Sequence, residues 1–124
     1  MIAGLGIDLI ETERVAEKIG KDSGFRELVF SAAEIAYCET RANKYEHYAA
    51  RFAAKEAFFK AIGTGWVNGT AFNEVEVLHD AAGKPHLHFL GKTADTVKKL
   101  QPGSITVSLS HVKTMATAIV IIEK

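Results

Sequence analysis

A single cysteine, Cys38, stands among the 124 residues, too few for an intramolecular disulfide or for a four-thiolate zinc or iron–sulfur site. Such a chain is expected in a reducing, cytoplasmic setting. Proline is nearly absent, with two residues, and 48% of the chain is hydrophobic, which excludes disorder, collagen and low-complexity arrays. There is no charge of one sign to exploit: 15 Lys and Arg balance 15 Asp and Glu, so no global field gathers nucleic acid. A long apolar run is missing too. The stretch Met115 to Ile122 is interrupted by Thr117 and falls short of the roughly 18 residues that a membrane span needs. The N-terminal MIAGLGIDLIE carries Asp8 inside its apolar stretch and lacks a basic leader, so no secretory signal is expected.

What is present reads as one α+β domain over residues 1–124, with helices packed on an antiparallel sheet. Residues 2–9 alternate with a period of two and predict a strand bearing Gly4, Gly6 and Asp8 on one side, so that backbone or a ligand approaches the carboxylate closely. A short helix is predicted from Glu11 to Gly20. Ser31 and Glu34 have the spacing of a capping box, which opens a helix to about Ala42. Tyr45 to Ile62, rich in Ala, Phe, Glu and Lys and ended by Gly63, predicts one long helix buried nearly all round. A hairpin from Glu74–His79 and His86–Leu90, a helix over Gly91–Leu100, and strands about Ile105–Leu109 and Met115–Ile122 complete the reading.

Charged residues on this scaffold invite two readings each. Asp8 either caps the following helix or faces a ligand. Glu56 and Lys60 form either a weak i,i+4 pair or part of a site, and on an apolar, aromatic helix face their charges need partners. Arg51 and Lys55, four apart, are either a solvated edge or a second set of phosphate ligands. His111, a lone histidine where a strand ends, is either structural, the commoner case, or functional, a reading helped by the hydroxyls of Ser108 and Ser110 at alternate positions. Gly63-Thr64-Gly65 is a glycine helix end with a weak phosphate-loop character. His47, His79, His86 and His88 have no metal-ligand spacing. Two carboxylates, a lysine, an arginine and a histidine suit magnesium-dependent phosphoryl chemistry, since Mg²⁺ takes one or two protein carboxylates together with waters and substrate phosphates. A non-catalytic nucleotide-binding module and a metal-dependent phosphohydrolase remain alternatives.

Gly6-Ile7-Asp8-Leu9 with Arg14, the run Arg51-Phe-Ala-Ala-Lys-Glu56-Ala-Phe-Phe-Lys60-Ala-Ile-Gly-Thr-Gly65, and Ser108-Leu-Ser-His111 together resemble the small stand-alone 4′-phosphopantetheinyl transferases of bacteria, the holo-acyl-carrier-protein synthases. The resemblance covers essentially the whole chain. It implies transfer of the phosphopantetheine arm of coenzyme A to a serine of apo acyl carrier protein, in support of fatty acid biosynthesis, with release of adenosine 3′,5′-bisphosphate. It implies Asp8 and Glu56 as Mg²⁺ ligands, Lys60 at the reacting phosphates, Arg51 and His111 on phosphates including the 3′-phosphate, and Gly63, Thr64 and Gly65 along the nucleotide. Arg14, Lys21 and Phe25 fall where the family meets the acidic helix of the carrier protein, and a homotrimer with sites between subunits is implied. Val112 follows His111 where the family commonly has a hydroxyl residue. The acceptor of the serine proton, Glu56 or a water, stays open at this point, and Lys60 serves only with a depressed pKa.

Overall fold

The computed structural model of the chain describes residues 1–63 and 69–124. Strand β1 (Ile2–Glu11) leads into α1 (Thr12–Gly20), followed by the short α2 (Phe25–Val29), then α3 (Ala32–Glu39) and the long α4 (Lys44–Ala61). After a 3₁₀ turn at Phe72–Glu74 come β2 (Val75–His79), β3 (Pro85–Phe89), α5 (Gly91–Lys99), β4 (Ser104–His111) and β5 (Met115–Glu123). Every element expected from the sequence is found, with boundaries moved by a few residues; α2 is an addition. Helix α3 stops three residues before the expected Ala42, because the Thr40 hydroxyl donates to Tyr37 O at 2.7 Å and closes the last turn.

Two antiparallel sheets form, β1-β5-β4 and β2-β3. The period-two pattern of β1 explains how the larger sheet meets α4. A Cβ at Gly4 would collide with Ala61 O, and one at Gly6 with Ala57 O and Ala61 N. Bare glycine on the inner face of β1 is therefore what lets strand and helix backbones touch. Ala49, Ala53, Ala57 and Ala61 keep α4 equally slim, and the inner-face residues Val107, Ala118 and Val120 complete the core with Phe58 and Phe59. As expected, α4 is buried on most sides, Lys60 being exposed at its end.

The outer face of the same sheet is different. Leu5, Ile7 and Leu9 are each about 60% exposed and pair across the ladder with Ile121, Ile119 and Thr117, which continue an apolar band. Ser108 and Ser110 pair with Ile119 and Thr117 and so lie on this outer side, whereas His111 pairs with Ala116 on the inner side. The expectation that these hydroxyls assist His111 is thus corrected: strand alternation sends them to opposite faces.

Candidate active site

Asp8 does not cap α1. The cap position is Glu11, which makes no side-chain cap bond, and Asp8 instead faces the end of α4. Lys60 Nζ donates to Asp8 Oδ1 at 3.1 Å and to Ile7 O at 3.0 Å, while Thr117 Oγ1 donates to Asp8 O at 2.8 Å. The i,i+4 pairing of Glu56 with Lys60 is therefore set aside: the lysine is taken by a carboxylate more than fifty residues distant, brought there by the glycine contact of β1 with α4.

Glu56 makes no hydrogen bond or ion pair among the described residues, yet its surroundings are not neutral. Burial raises its pKa above the usual carboxylate range, the negative charge of Asp8 raises it further, and Lys60 and Lys18 oppose the shift. Asp8 and Glu56 are thus two carboxylates close enough to repel each other, with Lys60 paired to Asp8. No cluster of three or more His, Cys, Asp or Glu able to hold a metal occurs among the described residues. A set of two carboxylates suits Mg²⁺, which keeps waters and binds phosphate oxygens, better than it suits zinc or calcium.

Arg51 and Lys55 are neither a solvated edge nor a matched pair. Lys55 is wholly buried, donating to Glu34 Oε1 at 2.6 Å, to Phe72 O at 3.0 Å and to Val75 O. Burial holds its pKa below the ordinary lysine range, opposed by Glu34. Glu34 also accepts from Ser31 N and Val77 N, both at 3.0 Å, so the pair clamps α3, α4 and β2 together and is closed to phosphate. The capping box expected at Ser31 and Glu34 is present, and it doubles as the frame of this ion pair.

Arg51, 2% exposed, lines instead a cavity of about 220 Å³ with Tyr37, His47, His79 and His111. His111 Nδ1 lies 3.0 Å from Glu46 Oε1. Sequence reasoning missed Tyr37, His47 and His79 here. His47 stands one helical turn before Arg51, a usable signal, whereas His79 arrives from β2 and has no local signature.

Gly63 ends α4 with a positive φ of 82°, as a glycine after a helix does. Thr64 and Gly65 lie outside the described residues. Arg14 is exposed on α1; Lys21 follows the helix as its C-cap, so α1 does not run past Gly20. Phe25 opens α2 half-buried against Phe52, ring centroids 6.1 Å apart, with Lys18 Nζ over its face at 5.5 Å. Leu28, 72% exposed on α2, extends this surface and was not foreseen.

A family model for the 4′-phosphopantetheinyl transferase superfamily matches residues 4–119, and the chain belongs to that superfamily. Among similar proteins, a holo-acyl-carrier-protein synthase of Cytophaga hutchinsonii is 46% identical, covering 100% of this chain and 99% of the relative. One of Ruminiclostridium cellulolyticum is 47% identical over 95% of this chain and 90% of its own length. The fold agrees with crystal structures of the same kind of enzyme: that of Neisseria meningitidis has a TM-score of 0.92 at 29% identity, both chains covered fully. That of Bacillus anthracis, in complex with coenzyme A (3′,5′-ADP), has a TM-score of 0.81 at 34% identity, covering 99% of this chain and 97% of the other. No helix among the described residues is long and apolar enough to cross a membrane.

Proposed function

We propose that this chain is a Mg²⁺-dependent holo-acyl-carrier-protein synthase: it transfers the 4′-phosphopantetheine arm of coenzyme A to a serine hydroxyl of apo acyl carrier protein, in support of fatty acid biosynthesis, and releases adenosine 3′,5′-bisphosphate. The observation that carries this reading is the convergence of Asp8, Glu56 and Lys60 at the meeting of β1 with α4. Asp8 and Glu56 would hold the ion, which when bound neutralises the diphosphate of coenzyme A. Lys60 presents its ammonium beside them with half of its side chain exposed, placed to offset charge on the phosphate under attack. Glu56, or a water that it holds, would accept the serine proton as the hydroxyl attacks in line at the β-phosphorus. Arg51 and His111 would take phosphates of the nucleotide, and Gly63, Thr64 and Gly65 would border it.

Residues 1–124 are taken as one transferase domain that works as a cytoplasmic homotrimer. The exposed Leu5, Ile7 and Leu9, continued by the half-buried Ile119 and Ile121, support a subunit interface, because contiguous apolar patches on a lone domain mark association surfaces. Sites between subunits follow naturally, since Arg51 and Glu56 point to different faces of α4. Carrier protein would dock on Arg14, Lys21 and Phe25.

The test is to incubate the protein with Mg²⁺, coenzyme A and apo carrier and to weigh the carrier by intact-mass spectrometry. The carrier should gain one phosphopantetheinyl group. Coenzyme A consumed without any carrier would mark a phosphohydrolase, and binding without turnover a mere binding module. Sedimentation at assay concentration should give the mass of a trimer.

A further inference from the structure

Thr117 breaks the apolar run of β5, and the break has a partner. Along the outer face of that strand Met115, Thr117, Ile119 and Ile121 follow one another at alternate positions, and all but Thr117 are apolar. Across the ladders it stands between the exposed Leu9 of β1 and Ser110 of β4. Packing alone would favour valine there, which has nearly the same shape and no hydroxyl to bury. The hydroxyl is used: Thr117 Oγ1 donates to Asp8 O at 2.8 Å, on a residue 109 positions away.

The carbonyls on both sides of the Asp8 Cα are thereby held by side chains. Lys60 Nζ, from the end of α4, donates to Ile7 O at 3.0 Å, and Thr117, from β5, takes Asp8 O. Strand β1 has reason to need this support. Among the described residues it pairs with β5 alone, and Gly4 and Gly6 just upstream give up side-chain packing and leave the backbone loose. The direction of the Asp8 Cα–Cβ bond follows the dihedrals of that residue, and rotation of the Asp8–Leu9 peptide is the motion that Thr117 opposes. Lys60 is a conditional tether, since it also pairs with Asp8 Oδ1 and on the proposed function turns to phosphate when substrate arrives. Thr117 is then the side chain that still fixes the Asp8 main chain.

We infer that Thr117 is a positioning residue for Asp8: its hydroxyl, acting through the Asp8 carbonyl, holds the carboxylate in the orientation in which it shares a divalent cation with Glu56. This rests on the reading of Asp8 and Glu56 as the ion's ligands. Groups that orient a metal ligand by hydrogen bonding to its side chain are worth about 10–100-fold in metal affinity. Thr117 acts on the main chain, one step further back, so about three- to tenfold is expected.

Mn²⁺ alone is the probe, its binding to the full chain without coenzyme A read by electron paramagnetic resonance. Thr117→Val, which keeps the β-branched shape, should raise the Mn²⁺ dissociation constant about three- to tenfold over wild type, and Thr117→Ser, which keeps the hydroxyl, should restore most of the affinity. Without metal the Tm of the valine variant should stay close to that of wild type. In turnover its Mg²⁺ concentration at half-maximal rate should rise while KM for coenzyme A at saturating Mg²⁺ holds, a split that a general loosening of the fold would not give. If the valine variant does not fold, Thr117→Ala set against Thr117→Ser reads the same contrast. Equal Mn²⁺ affinities for wild type and the variant without the hydroxyl, or a serine variant as weak as that one, would overturn the inference while leaving the metal reading in place. Wild type that binds no Mn²⁺, or an Asp8→Asn variant that binds it as well as wild type does, would overturn the metal reading and the inference with it.

Discussion

Lys60 Nζ sits 3.1 Å from Asp8 Oδ1, although Glu56 lies one turn away on the lysine's own helix. The arrangement leaves Glu56 exposed to the charge of Asp8 with only part of the compensation that its position on α4 offers. On the proposed function Lys60 would compete with the cation for Asp8 as well as offset charge on the phosphates. Lys60→Met should lower kcat/KM at least about tenfold, about 1.4 kcal/mol of transition-state stabilisation, while Mg²⁺ binds more tightly. Activity titrated with Mg²⁺ separates the two effects. An unchanged apparent affinity for Mg²⁺ in the variant would place Lys60 outside the metal's field, and a weaker one would contradict its competition with the ion for Asp8.

The raised pKa of Glu56 has a sign in stability. A carboxyl whose folded pKa exceeds its unfolded one stabilises the fold at pH values below the unfolded pKa, and that contribution is lost as pH rises through the folded pKa. Glu56→Gln should therefore have a higher Tm than wild type at neutral pH without metal, and the gain should vanish in acid where Glu56 is protonated. Mg²⁺ should raise the Tm of wild type and leave that of the variant nearly unmoved. Thermal melts at both pH values, with and without the ion, read all three.

Lys55 and Glu34 are wholly buried, and removing either alone strands the other's charge. Lys55→Met or Glu34→Gln should cost about 3–5 kcal/mol in urea unfolding. The double variant should recover only part, because the carbonyls of Phe72 and Val75 lose their donor and a glutamine amide offers one acceptor oxygen where the N–H groups of Ser31 and Val77 use two. Full recovery would mean that the pair contributes nothing beyond its own neutralisation.

Carrier recognition is expected to be electrostatic at its rim. Arg14 is exposed on α1, near the Phe25 and Leu28 surface. Arg14→Glu should raise KM for carrier protein, flatten the salt dependence of the rate, and leave coenzyme A affinity unchanged, since a rim charge acts mainly on association and is screened over a Debye length of about 8 Å. Loss of coenzyme A affinity with carrier KM intact would move Arg14 to the nucleotide site.

The sequence made the elements legible where a pattern was local: the glycine alternation of β1, the Ser31–Glu34 box, the Ala-rich run of α4. It was less informative where a partner arrives from far along the chain. Glu56 and Lys60 have the spacing of a helix pair, and nothing near them announces that Gly4 and Gly6 let Asp8 come close enough to take the lysine. Lys55 and Arg51 are four apart on one helix, yet one is sealed by Glu34 and the other opens on a cavity, a difference set by β2 and α3. Helix α2 has five residues, too short for a periodic signal, and begins after Gly24 in the left-handed region at φ 88°.

The most direct measurement is the rate of carrier modification against Mg²⁺ concentration for wild type, Asp8→Asn and Glu56→Gln, each checked as folded by circular dichroism. If the two carboxylates hold the ion, wild type responds to Mg²⁺ with saturation, and both variants fall at least about a hundredfold, about 2.7 kcal/mol, without rescue at ordinary Mg²⁺ levels. Folded variants that modify carrier at wild-type rates with an unchanged Mg²⁺ response would contradict the site.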